Sequence, residues 1–320
     1  MIHLRLIVPS DDVRPVLDHL RSTPGVTHVV HLAGVAASPV GDVVLCDVAR
    51  EATNDVVEWL QGRGIHRRGA ITLDALDAVI SDSAAGAEAE ARGHGADALI
   101  WEELEARARE DAVLTPSFAI LIAIAAVIAG AGILLDSPVL IVGAMVVGPE
   151  YGPLAALCVS VVRRRYGSGL RAGSTLAVGL ALAGLSALVA TLVFRSTGLA
   201  PDNYAVTERQ LTAFISHPDG IGAVVAILAG IVGMLSLTEA RSGSLIGVLV
   251  SVTTIPVAAN IGVATAYGEW SEVGGAALQL AINVIALIAS GAVTLIVQAR
   301  VVATPQRQGP VTRGKSVWPS

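Results

Sequence analysis

The sequence predicts a membrane α-helical bundle of six spans, preceded by a small soluble α+β domain. Three observations predict it. Charged residues are frequent up to Asp111 and then nearly vanish until Arg300. That charge-poor region is filled by six long apolar stretches. Before it, strand and helix periodicities alternate over about 75 residues. The composition agrees: 15% of the 320 residues are charged and 53% are hydrophobic, against about 25% charged in ordinary soluble domains. Mean hydropathy is +0.67.

The soluble part opens with Ile2, Leu4, Leu6 and Val8 alternating along one strand face. Asp11 or Asp12 can cap a helix whose inward stripe is Val13, Val16, Leu17 and Leu20, at i, i+3, i+4 and i+7. Pro24-Gly25 ends that helix. Strands follow at Val26–Leu32 and Val43–Val48, with a turn between Gly34 and Gly41. A second helix is read at Glu51–Gln61, with Val56, Trp59 and Leu60 inward. The last strand is Arg68–Leu73. The order βαββαβ is the ferredoxin-like arrangement, and that fold hosts many functions. His3, His19, His28, His31 and His66 lack ligand spacing and are read as surface residues. Cys46 and Cys158 fall in different regions, so no disulfide is expected, in keeping with a reducing compartment. The opening run MIHLRLIVPSDD is interrupted by Arg5 and is too short for a signal peptide.

Five regions are therefore expected: a cytoplasmic domain over 1–82, a flexible linker over 83–97, a juxtamembrane helix over 98–111, six spans over 112–300, and a disordered cytoplasmic tail over 301–320. The linker (SAAGAEAEARGHGAD) is rich in Ala, Gly and Glu and lacks apolar periodicity. The juxtamembrane helix carries the i, i+4 pairs Glu103/Arg107 and Glu105/Arg109. It leads into the first span through Thr115-Pro116, proline being well tolerated at a helix start.

The uncharged stretches are Ala112–Leu135, Ser137–Val162 (interrupted only by Glu150), Ala172–Phe194, Gly220–Thr238, Ser242–Gly268 and Val273–Ala299. Each is long enough to cross about 30 Å of hydrocarbon. One set of loops holds Arg163, Arg164, Arg165, Arg171, Arg241, Arg300, Arg307, Arg313 and Lys315; the other holds Arg195 and Arg209. The positive-inside rule then puts both termini in the cytoplasm. The longer outer loop, Arg195–Asp219, carries Val206, Leu211, Phe214 and Ile215, the spacing of a short interfacial helix. Small residues recur at helical spacing (Ala125, Ala129 and Gly132; Gly179, Ala183 and Ser186; Gly222, Ala226, Gly230 and Gly233) and permit close helix approach.

The six spans fall into two sets of three. The second span of each set begins with Ser, has Gly a few residues in and carries Pro near its middle. One reads SPVLIVGAMVVGPEYGPLAAL from Ser137, the other SGSLIGVLVSVTTIPVAANIG from Ser242. Short turns, at Asp136-Ser137 and Ala240–Gly243, precede them. Three spans per set make the repeat inverted, and paired broken helices point to a midplane site. Helix breaks are expected at Gly148, Pro149, Pro153 and Pro256, since proline removes a backbone donor and clashes with the preceding turn. Polar residues gather at the same depth: Glu150, Thr253, Thr254, Asn260, Gln279 and Asn283, with Ser290 and Thr294 further along span six. A charged side chain there costs at least ~3 kcal/mol, so Glu150 must be paired, hydrated or protonated.

The runs DSPVLIVGAMVVGPEYGPLAAL, MLSLTEARSGSLIGVLVSVTTIPVAANIGVA and DALIWEELEARARED resemble the actinobacterial branch of the domain-of-unknown-function family 389. The resemblance extends from about Ile71 to Arg300. It implies a bacterial membrane protein with a hydrophobic multi-span core, and no activity, substrate or cofactor.

The leading expectation is a secondary transporter or channel for a small solute or ion, with its site on the residues just named. The alternative is a membrane-anchored sensor or scaffold whose soluble domain binds a ligand or partner. No nucleophile–base pair, histidine metal spacing or glycine-rich phosphate loop points to an enzyme, a metal or a cofactor, and no basic domain points to nucleic acid. The expected partners are the lipid bilayer, further copies of the chain in a homo-oligomer, and the small solute or ion. The expected location is the bacterial inner membrane.

Overall fold

The alternating face Ile2, Leu4, Leu6 and Val8 forms the centre of a four-stranded antiparallel sheet in the computed structural model, which describes residues 1–76, 78–91, 100–201, 220–238 and 254–303. The chain divides into two compact units, one over Met1–Ile100 and one over Trp101–Val297.

In the first unit the elements are β1 (Ile2–Val8), α1 (Val13–Ser22), β2 (Val26–Ala37), β3 (Val40–Val48), α2 (Arg50–Gly62), α3 (Ile65–Arg68) and β4 (Ala70–Ala75). The strand order is β2-β3-β1-β4, with β1 antiparallel to both neighbours. Since β3 lies between β1 and β2, the β1-α1-β2 unit is a split crossover, the order expected of βαββαβ. Val16 and Leu20 of α1 and Val56 and Leu60 of α2 are fully buried with the inner face of the sheet. At about 25 cal/mol per Å² of apolar surface, such residues contribute roughly 1.5–3 kcal/mol each.

Three details differ from the sequence reading. The β2–β3 hairpin runs on to Ala37 and Val40, so the turn is shorter than expected. Asp12 stands at the N-cap of α1, yet its carboxylate accepts from Arg68 (2.6 Å) and lies 3.6 Å from Arg63 instead of capping the helix. The expected flexible linker is helical at its start: α4 spans Asp82–Glu90, capped by Ser81, whose hydroxyl accepts from the Ala84 N–H. Alanine's high helix propensity explains a helix without an apolar stripe. Residues 92–99 of that linker lie outside the described residues.

In the second unit the elements are α5 (Trp101–Asp111), α6 (Pro116–Leu134), α7 (Pro138–Val147), α8 (Tyr151–Val162), α9 (Tyr166–Ser196), α10 (Gly220–Thr238), α11 (Ile255–Tyr267) and α12 (Trp270–Ala303). Among the described residues, four helices (α6, α9, α10 and α12) are long and apolar enough to cross a membrane. The bent pair α7–α8, with 60° between its halves, makes a fifth if it counts as one span. The described part of the fifth expected span, Ser242–Gly268, is the 13-residue α11, about 20 Å of helix and too short to cross alone. The outer-loop segment 206–215, the turn Ala240–Gly243 and the tail 304–320 lie outside the described residues.

Small residues set the packing. A Cβ on Gly132 would press on Leu140 and Ile141, joining α6 to α7. One on Gly179 would meet Phe118 and Ile122, joining α9 to α6. The closest crossing joins α9 to α11: a Cβ on Gly262 would overlap the Gly184 carbonyl and the Leu188 backbone nitrogen. Without a hydrophobic drive between helices in lipid, this intimacy is what holds such a bundle together.

Candidate functional site

α7 ends at Val147 and α8 begins at Tyr151, so the break comprises Gly148, Pro149 and Glu150. Pro149 lies in the break, where no helical donor is needed. Pro153 falls in the first turn of α8 and Pro256 in the first turn of α11. There the missing N–H costs little, because first-turn donors have no intrahelical partner anyway. The prolines therefore mark helix starts and do not distort helix interiors. The first helical bonds are Leu154 N–H to the Glu150 carbonyl (3.3 Å) and Ala258 N–H to the Thr254 carbonyl (2.9 Å).

Glu150 and Thr254 are thus the N-cap residues of the two helices, and neither side chain caps its own helix. They bond across the break instead: the Thr254 hydroxyl donates to Glu150 Oε1 at 2.9 Å. Both residues are wholly buried. Gly148 has ordinary helical-side φ (−67°) but no room for a side chain, since a Cβ would overlap Ile255 Cδ1 and the Glu150 carboxylate. The glycine is there for close approach.

A carboxylate at membrane depth would raise an energetic problem. Its insertion costs ~3 kcal/mol or more. Each of the two helix N-termini offers ~1 kcal/mol to negative charge, and a hydrogen bond to a charged group ~2 kcal/mol. For a charged carboxylate these terms act against that cost. Tyr151, next in sequence, donates its hydroxyl to the Gly233 carbonyl of α10 at 2.7 Å, which fixes the start of α8 against a further helix.

The other expected site residues are distributed as follows. Asn260 is buried on α11, six residues after Thr254. Gln279 and Asn283 are buried on α12, where the Gln279 amide donates to Asn283 Oδ1 at 2.9 Å. Ser290 and Thr294 continue the same inward face, but their hydroxyls donate to the Leu287 and Ser290 carbonyls of their own helix. The structure brings Glu150 together with Thr254, and Gln279 with Asn283. Thr253 lies outside the described residues. Among the described residues no group of three or more His, Cys, Asp and Glu could hold a metal ion.

Sequence reasoning missed Tyr151 as the anchor of the junction; its place beside Glu150 was the one available signal. It also missed the carboxylate partners of the histidines in the first unit. Asp47 bonds both His3 and His28 at 2.7 Å, and Asp42 bonds His31 at 2.6 Å. Burial works against Asp47, yet its two histidine bonds outweigh it and hold its pKa below the usual value. Asp42 is held low by His31 and by the Gly34 N–H. Both cysteines are buried and free, and burial beside Asp47 pushes the Cys46 thiol up to about 12.

The stretch from α7 to α12 that carries Glu150, Thr254, Asn260, Gln279 and Asn283 matches a family model described as "Domain of unknown function (DUF389)", over residues 145–289. Those residues are similar to a DUF389 domain. The DUF389 match therefore contains both halves of the junction and the α12 amide pair. The chain is also 27% identical over 189 residues to the uncharacterized protein MJ0678 of Methanocaldococcus jannaschii. That match covers 59% of this chain and 56% of the relative, so the chain spans little more than half of the relative's length. No solved structure matches.

Proposed function

We propose that the chain is a secondary transporter or channel for a small solute or ion, with its site at the Glu150–Thr254 junction. One observation carries the reading: two short helices, each with proline in its first turn, begin at residues that are wholly buried and bonded to each other. Interrupted helices whose ends meet at depth are the recurrent means of binding a polar solute in a membrane.

In this reading α7 and α8 are one broken span. A re-entrant hairpin would need the halves nearly antiparallel, whereas they bend by 60°. Helices of 10 and 12 residues joined at that angle reach roughly 29 Å from end to end, about the hydrocarbon thickness. Residues 242–267 then make the fifth span, for six in all, arranged as two inverted halves. Both termini lie in the cytoplasm of a bacterial inner-membrane protein, and the working form is a homo-oligomer.

The test is flux through proteoliposomes loaded with a pH-sensitive dye, under imposed proton and monovalent-cation gradients. Wild-type protein is expected to exceed protein-free vesicles. Glu150→Gln should reduce that flux about tenfold or more, and Thr254→Val less. Flux unchanged by Glu150→Gln and Asn260→Ala would remove this site. A second reading, a membrane-anchored sensor or scaffold, is favoured by the tight packing at Gly148, Ile255, Ala258 and Ala259. It is the reading that survives if wild-type vesicles carry no flux.

A further inference from the structure

α5, the end of α8 and the start of α9 enclose a cavity of about 650 Å³. Its lining is divided. Arg109, Arg163, Arg165 and Arg171 line the cavity together with Ser160, Ser168, Ser174 and Thr175. Ala112, Val113, Leu114, Ala156, Val159 and Ala172 supply an apolar wall. Glu105 is the acid in the lining. Its carboxylate, on a side chain 11% exposed, lies 2.9 Å from Arg163, 3.2 Å from Arg165 and 4.0 Å from Arg109. Arg163 also lies over the Trp101 ring, 5.2 Å from its centroid.

The Glu105 cluster orders the guanidiniums without cancelling them. Four arginines against one carboxylate leave a formal +3 around the cavity. Arg171, which also lines the cavity, takes no part in the Glu105 ion pairs among the described residues. Planar guanidiniums suit phosphate oxygens in bidentate geometry. A volume of this order suits a small organic ligand more than a bare ion.

The apolar side decides what kind of phosphate. Val113 and Leu114 are 54% and 48% exposed and stand immediately before the first apolar helix, which starts at Pro116. α8 ends its apolar run at Val162, one residue before the arginines. The cavity therefore sits where long apolar helices give way to charge, with hydrocarbon-compatible side chains on one flank and cations on the other. Free phosphate would use the cations alone.

We infer that this cavity binds the phosphodiester headgroup of an anionic lipid, with Arg171 and Arg109 on the phosphate and the lipid's chains descending past Val113 and Leu114. The site is independent of the Glu150 junction, so either can fail without the other.

The experiment uses the purified full chain in mild detergent and three probes: short-chain phosphatidylglycerol, short-chain phosphatidylcholine and inorganic phosphate. Native mass spectrometry and tryptophan fluorescence report binding. Phosphatidylglycerol is expected to bind at least about tenfold more tightly than phosphatidylcholine. Arg171→Gln should weaken it about fivefold, on the order of one basic residue near an anionic lipid. Arg109→Gln should have a similar effect, while Arg164→Gln, outside the lining, should leave binding unchanged. Equal affinity for the two lipids would overturn the assignment, and that comparison needs no variant to fold. Inorganic phosphate binding as tightly as phosphatidylglycerol would overturn the lipid source.

Discussion

At the scale of single residues, the structure repeatedly puts polar groups in pairs. Thr254 serves Glu150, Gln279 serves Asn283, and Asp47 serves two histidines. His19 is different: it stacks on Trp59, with ring centroids 3.9 Å apart, and burial lowers its pKa from 6.5. The sign of its effect follows by linkage. As pH falls through 6.5, the unfolded chain takes up a proton at this imidazole before the folded chain does. The unfolded state binds more protons in that window, which extends from 6.5 down to the folded value. The His19 contribution to stability is therefore complete above pH 6.5 and shrinks below it. Hydrogen exchange of the α1 and α2 amides should be faster at about pH 5.5 than pH 7.5 after correction for intrinsic rates. His19→Gln should reduce that difference; an unchanged difference would assign it to other groups.

At the scale of elements, the close crossing of α9 and α11 makes a sharp prediction. Gly262→Ala would drive a methyl into backbone atoms of α9, which cannot rotate away. It should destabilise the protein by about 2 kcal/mol or more. Gly173→Ala is the control, because its new Cβ would make an ordinary contact with Leu157 at 3.6 Å. Thermal unfolding in detergent separates the two; equal melting temperatures would mean the crossing opens easily.

How much of this was legible follows from the physics of each element. Strand β1 and helix α1 were readable because burial on one face imposes periods of 2 and 3.6 on the sequence. The break after Val147 was readable because proline has a fixed backbone consequence. α4 was not, since an alanine-rich helix without a core face leaves no period; Ser81 and the alanines were the signals to weigh. Glu150 could be singled out by charge, and Thr254 was among the polar residues expected at its depth, but the bond between them was not legible. Thr254 lies 104 residues away, and only the meeting of two helix starts joins them.

At the scale of the whole molecule, charge distribution carries the topology. Arg163, Arg164, Arg165 and Arg171 lie between α8 and the body of α9, whereas Arg195 lies near the other end of that 31-residue helix. Reporter fusions after Arg165 and after Thr197 should report opposite compartments, with the first cytoplasmic. Both fusions on one side would mean that α9 does not cross.

Arg195 has a mechanical consequence as well. Its guanidinium donates to the Ala266 carbonyl in the last turn of α11 and lies over the Tyr267 ring, and Tyr267 in turn donates to the Pro201 carbonyl. α11 is thus riveted to α9 at its far end and pressed against it at Gly262. Levers fastened at two points move as one piece. In the transport reading proposed above, opening the Glu150–Thr254 junction would part the start of α8 from the start of α11, while α11 stays held to α9 at Gly262 and Ala266.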